Sequence, residues 1–252
     1  MSEQRRRVFA SYPITTKVLI AMILSLIVVV SICTLLTFPH ALAATIVSDD
    51  FDDNSIDTAT WVPNNLVSGP ITDTNVPVAE TGKRLRIGPL LQNVNGFSYN
   101  GIRTVNTYIF DNAYAYVELA QAPAFNTNAD AMFSVCSDFN DCYRIYESAG
   151  NLIGLRRQAA GRGAFETILF SIPYDTTNHR FLRIRNDAGN VHMETAPGTG
   201  GVPGTWMQQY SEVWEPLIST SAIVFELKAG TSQVEANPPG RVSFDNFVAA
   251  TP

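Results

Sequence analysis

The chain is short of the residues that carry most enzyme chemistry. It has three cysteines and three histidines among 252 residues. No H-E-x-x-H zinc motif, no G-x-S-x-G nucleophile elbow and no glycine-rich phosphate loop occurs. His179 and His192, the two histidines beyond residue 43, stand in no metal spacing. His179 is expected to open a strand, and His192 shares a polar strand face with Glu194. Cys33 lies inside an apolar run, which leaves Cys136 and Cys142 as a pair in "CSDFNDC". A lone C-x5-C without further Cys or His is a poor zinc site, so a disulfide across a hairpin is expected.

Charge of one sign is also scarce. Removing the four basic residues and the single acid of residues 1–43 from 17 and 23 leaves 13 against 22, a net charge near −9. That balance argues against nucleic acid as a partner, because counterion release needs clustered Lys and Arg. It equally disfavours an anionic membrane surface.

Residues 1–43 read as a targeting segment. Arg5, Arg6, Arg7 and Lys17 precede an uncharged run over 18–38, and "PHALAA" follows with small residues two apart. This order is that of a secretory signal, cut before Ala44. The run of 21 residues also approaches the roughly 20 that cross a bilayer, so an uncleaved anchor with its basic end inside is the alternative. Both readings export residues 44–252 to the cell envelope or the exterior. The membrane is then met only through 18–38.

Strand signals dominate what remains. Residues 83–91, 113–120, 131–136, 142–148, 151–157, 180–186, 190–196, 222–229 and 242–248 are short, rich in β-branched or aromatic residues, and often alternating. Turn signals separate them: "SAGN" (148–151), "DAGN" (187–190), "PGTGGVPG" (197–204) and "NPPG" (237–240). "RFLRIRNDAGNVHMETA" reads as a hairpin with Leu182 and Ile184 inward and Arg183 and Arg185 outward. "CYRIYESAGNLIGLRR" reads as a second, and "AAGRGAF" (159–165) as a turn. Trp206, Tyr210, Val213, Trp214 and Leu217 stand at helical spacing, yet the segment is read as a strand followed by a loop. Nine or more strands without a linker or repeat predict one all-β, two-sheet antiparallel sandwich over 44–252, preceded by one N-terminal apolar helix.

"SDDFDDNSIDTATW" (48–61) packs five aspartates into fourteen residues. It fails the helix–loop–helix calcium pattern, since Ser55 stands where Gly is needed and Trp61 where the bidentate Glu belongs. The stretch resembles the opening of concanavalin A-like lectin/glucanase and laminin-G-like jelly rolls of bacterial secreted proteins, which pass from an acidic Asp-Phe-Asp stretch to a Trp. "NHRFLRIRNDAGNVHMETAPGTGGVPGTW" and the closing "GRVSFDNFVAATP" are similar to later parts of that family, in the same order. The resemblance implies a jelly roll that takes glycans on its concave face or rim loops. It implies a structural calcium shared by Asp50 and Asp245; the alternative is that Asp52, Asp53, Asn54 and Asp57 form turns while Asp245 meets solvent. No other cofactor is expected.

Glucanases of this family carry E-x-D-x-E on one strand, and this chain has none. Glycoside hydrolysis needs two carboxylates roughly 5 Å apart for retention and farther for inversion. Glu212 and Glu215, three apart, do not share a strand face. Glu118 and Glu226 are the remaining catalytic candidates, if they pair across the concave sheet. For sugar stacking, the candidates are Tyr114, Tyr116, Tyr143 and Trp206, with Arg183 and Arg185 for hydroxyls; each is otherwise an ordinary sandwich aromatic or solvated charge, and Trp61 is read as core. The leading function is non-catalytic carbohydrate binding or adhesion on extracellular or cell-surface glycans. A glycoside hydrolase with a diverged acid pair and a structural envelope protein without a sugar ligand are the alternatives.

Overall fold

A computed structural model describes residues 44–67, 76–94, 96–138, 141–160 and 163–252. The expected signal or anchor over 1–43 lies outside the described residues. The described residues form one compact unit. Its strands are, in chain order, β1 (Thr45–Asp49), β2 (Trp61–Pro63), β3 (Leu66–Val67), β4 (Val78–Glu80), β5 (Leu85–Ile87) and β6 (Ser98–Thr104). There follow β7 (Tyr114–Gln121), β8 (Asp130–Cys136), β9 (Cys142–Ser148), β10 (Asn151–Ala160), β11 (Gly163–Pro173) and β12 (Phe181–Asp187). The last are β13 (Asn190–Ala196), β14 (Gly198–Thr199), β15 (Val202–Pro203), β16 (Met207–Val213), β17 (Val224–Thr231) and β18 (Val242–Ala250).

The strands form two large antiparallel sheets, with β14 and β15 paired in a separate two-stranded ribbon. The first runs β16-β13-β12-β7-β18-β5-β4, with β1 also on β18. The second runs β11-β10-β9-β8-β17-β6-β2, with β3 also on β6. Alternation decides how they face. In the first sheet Ala115, Val117, Leu182, Ile184, Val191 and Met193 are fully buried inward. In the second, Phe133, Val135, Ile145, Phe225 and Leu227 meet them. Burying a residue of this size stabilises by roughly 1.5–3 kcal/mol, so a one-residue slip in any central strand is heavily disfavoured.

Both hairpins read from the sequence form. Ala149–Gly150 and Ala188–Gly189 each have positive φ at both positions, the two-residue turn whose twist suits paired strands. The disulfide also forms: Cys136 and Cys142 are directly opposed between β8 and β9, with Cα atoms 4.1 Å apart.

Several local expectations are corrected. The strand expected over 83–91 covers only Leu85–Ile87, because Gly88 has positive φ and Pro89 has no N–H for the ladder. Residues 159–165 are not one turn, since β10 runs to Ala160 and β11 starts at Gly163. The paired strand β11 is missed by the periodicity, as its Phe165 and Ile168 are exposed. His179 lies in the turn before β12, where its Nδ1 accepts the Asp175 N–H at 3.0 Å.

Candidate functional site

The acidic opening stretch is a run of carboxylate-capped turns. Asp49 Oδ1 accepts the Phe51 N–H at 2.8 Å, and its Oδ2 accepts the Trp61 indole N–H at 2.7 Å. Asp50 accepts Asp52 N–H, Asp53 accepts Ser55 N–H, and Asp57 accepts Ala59 N–H and the Thr60 hydroxyl. Phe51 and Trp61 are buried, the latter 5.2 Å from Phe247. Asp50 lines a polar depression with Asp53, Asp57, Tyr116 and Asn246. Asp245 lies outside that depression, with its carboxylate 3.7 Å from Arg84, and burial pushes it up to about 6. Among the described residues no three His, Cys, Asp or Glu side chains gather as a metal requires. The carboxylates therefore do not supply the six to eight oxygens of calcium, and backbone carbonyls would have to provide most of them.

The two catalytic candidates are separated. Glu118 stands on the outer face of the first sheet, where its Oε1 accepts Arg180 Nε and its Oε2 accepts Asn246 Nδ2, both at 2.7 Å. Asn246 occupies a bulge in β18 with φ +48°. Glu226 stands on the outer face of the second sheet, 2.9 Å from Lys228 Nζ and 2.9 Å from Asn64 Nδ2. The core lies between them, so they form no acid pair.

Five of the six candidate sugar contacts do converge, on the outer face of the first sheet. Tyr114 and Tyr116 stack with centroids 6.2 Å apart, and Trp206 lies 5.6 Å from Tyr116. The Arg183 guanidinium caps the Trp206 ring at 4.0 Å and bonds Glu194 at 2.7 Å. Arg185 bonds Asp187 at 2.6 Å and joins Glu194 at 3.4 Å. Burial pushes the Glu194 carboxyl up, but the two guanidiniums hold it below the usual carboxylate range. The sixth, Tyr143, is a core residue. Its ring packs 4.8 Å from Trp214, and its hydroxyl accepts the Glu215 N–H at 2.9 Å. Tyr146, three residues further along β9, falls on the opposite, outward face.

A second concavity lies on the other side. The outer face of the second sheet carries a cleft of about 450 Å³. Tyr99 of β6, Lys228 of β17, Asp130 of β8, Arg144 and Tyr146 of β9, and Arg157 of β10 line it. Apolar wall comes from Leu66, Phe97, Met132 and Leu155, and Glu166 of β11 closes one side. Tyr99 donates its hydroxyl to Asp130. Burial pushes Asp130 up to about 6, and desolvation with the adjoining Asp130 raises Tyr99 further above its ordinary value. Burial pushes Tyr146 up to about 12 and draws Lys228 and Arg144 down, with Glu226 opposing both last shifts.

These residues alternate with core residues, as in Arg144-Ile145-Tyr146 and Glu226-Leu227-Lys228. That pattern is the signal by which sequence reading could have found them. It was masked because β6 and β17, which complete the cleft beside β8–β11, lie far from them in sequence.

Chemically, the cleft offers aromatic rings, hydrogen-bonding groups and charge in one concavity. It does not offer a glycosidase acid pair. Asp130 opposes Gly230, four residues from Glu226, which places the two about 13 Å apart along the strands. Glu235 contributes to raising Asp130, but bonds the Asn128 N–H at 2.9 Å and lies outside the lining.

No protein-family model matches the chain, and no curated protein sequence is significantly similar to it. Solved structures do match. One, concerning endo-acting O-glycanases that prominent members of the human gut microbiota express to initiate mucin breakdown, aligns with TM-score 0.58 at 8% identity, over 82% of this chain and 98% of that one. The CBM2 module of an evolved Dit protein of Lactobacillus casei BL23 phage J-1 aligns with TM-score 0.58 at 9% identity, over 82% and 95%. A glycosyl hydrolase family 16 protein from Mycobacterium smegmatis aligns with TM-score 0.54 at 13% identity, over 82% and 100%. At such identities the likeness is one of architecture, and it agrees with the strand order and the two-sheet core: the chain has the concanavalin A-like lectin/glucanase fold.

Proposed function

We propose that this chain is an exported, non-catalytic carbohydrate-binding jelly roll that takes an extracellular or cell-surface glycan in the cleft of its second sheet. The observation that carries the reading is the cleft itself, where Tyr99, Tyr146 and Phe97 stand beside Lys228, Arg144 and Asp130. Sugars present apolar ring faces for stacking and hydroxyls for polar groups, and the cleft supplies both. The glycan-acting proteins among the structural neighbours support the same ligand class. The roughly 13 Å offset of Asp130 from Glu226 favours binding over hydrolysis. No cofactor is needed. Export proceeds through residues 1–43, as a cleaved signal or as a tether over 18–38.

A glycan array followed by calorimetry on the best hit tests this. Binding is expected for the wild type and at least tenfold weaker binding for Tyr146→Ala. Reducing-sugar release from the bound glycan should stay at background. Release that disappears in Asp130→Asn or Glu226→Gln would make the chain a hydrolase instead.

A further inference from the structure

Among the described residues, one cation of the cleft has no carboxylate at ion-pair distance. Glu226 is held by Lys228 at 2.9 Å, with both side chains about 5% exposed or less. Glu166 faces Arg157 at 3.5 Å, and Asp130 takes the Tyr99 hydroxyl. Arg144, between these groups, has no carboxylate within ion-pair distance among the described residues. Its one hydrogen bond runs from Nη2 to the sulfur of Cys142 at 3.8 Å, a weak acceptor already in the disulfide. Its Nε is buried without any partner, and the residue as a whole is 8% exposed.

A buried guanidinium in that state is costly. Desolvation of a charge is offset only by a counter-charge or good hydrogen bonds, and a planar fork of donors is suited to two oxygens of one anion. Of the neighbouring acids, Glu226 and Glu166 are compensated by Lys228 and Arg157, while Asp130 stands four residues along β8 from the position opposite Arg144. Shape also fits: Tyr146 stands two residues from Arg144 on the same face of β9 and lines the same cleft as a stacking surface.

We infer that the cleft selects an anionic glycan, one whose carboxylate or sulfate group sits against the Arg144 guanidinium. The inference rests on the glycan-binding reading and narrows its ligand class. Neutral polymers would leave the buried cation as it is and bind more weakly.

The experiment measures binding of sodium polygalacturonate, sodium alginate and a sulfated galactan, each beside its carboxyl-reduced or desulfated form. At least one anionic polymer should bind, with at least a tenfold loss on neutralising it and a further fall as NaCl rises. Uronate and sulfate arms tell the two anion sources apart. Arg144→Met should bind that polymer at least tenfold more weakly, with a melting temperature equal to or above wild type, since it removes an uncompensated buried charge. Preference for the neutralised polymers, or unchanged affinity in Arg144→Met, overturns the inference while glycan binding stands. Loss of binding to every polymer, charged and neutral, overturns both. The comparison of charged and neutralised polymers on wild-type protein decides the question even if the variant does not fold.

Discussion

The Arg183 guanidinium lies 4.0 Å from the centre of the Trp206 ring and bonds Glu194 at 2.7 Å. A tryptophan covered in this way is engaged from within the protein. Its nearest aromatic neighbour, Tyr116, in turn stacks on Tyr114 and covers the buried Phe181. The first sheet's aromatic patch thus holds its own residues together, while the second sheet's outer face carries the concave cleft.

The two faces should separate in mutagenesis. Trp206→Ala is expected to lower the melting temperature by several degrees, since a cation–π contact contributes about 0.5–2 kcal/mol before ring burial is counted. Glycan affinity should stay within twofold of wild type, in contrast to Tyr146→Ala. Calorimetric titration together with thermal melts of both variants checks this.

Stability should rise as the pH falls from 8 towards 5. Burial holds Glu147 up at about 7 and Asp130 up at about 6. Between the unfolded and folded values of a raised carboxyl the native state binds more protons, so each stepwise rise in pH through that window costs stability. Glu147 is fully buried, with one oxygen on the Gly150 N–H and the other without a partner. Glu147→Gln should therefore gain on the order of 2 kcal/mol over wild type at pH 8 and nothing near pH 4.5. Denaturant melts at several pH values measure the difference; a gain independent of pH would refute the assignment.

Reducing the disulfide should destabilise without unfolding the sandwich. The Cys136–Cys142 loop is short, and closing it is worth about 2 kcal/mol by chain entropy. For a domain of this size that corresponds to a fall of roughly 4–8 °C. Paired Cys136→Ser and Cys142→Ser melts, beside wild type in reductant, should agree on that figure.

Calcium should have little effect on stability. The oxygens of Asp49, Asp53 and Asp57 already accept backbone or side-chain donors, and Asp245 leans towards Arg84. Melting temperatures in excess calcium and in chelator are expected to agree within about a degree, because an ion that bound the native state well above its dissociation constant would add several kcal/mol. A clear calcium-dependent rise would revive a shared site near Asp50 and Asp245.

Strand periodicity and turn chemistry alone determined that this chain is an all-β sandwich. They placed hairpins at Ala149–Gly150 and Ala188–Gly189, and they set Leu182 and Ile184 inward. The count and spacing of cysteines singled out Cys136 with Cys142, and the family resemblance put Trp61 in the core. Such features are local: a period of two, a left-handed turn, a seven-residue loop. Tertiary structure decided the rest. Alternation shows that a strand has two faces but not which one is covered, so Tyr143 stood as a candidate sugar contact until the packing of the sheets put it in the core and Tyr146, three residues along β9, outside. Glu118 and Glu226 looked pairable until the core came between them. The cleft was the least legible feature, because six strands spread from Tyr99 to Lys228 meet there only through sheet order. Whether Arg144 is paired depends on what those distant strands bring beside it, and no sequence pattern around residue 144 encodes that.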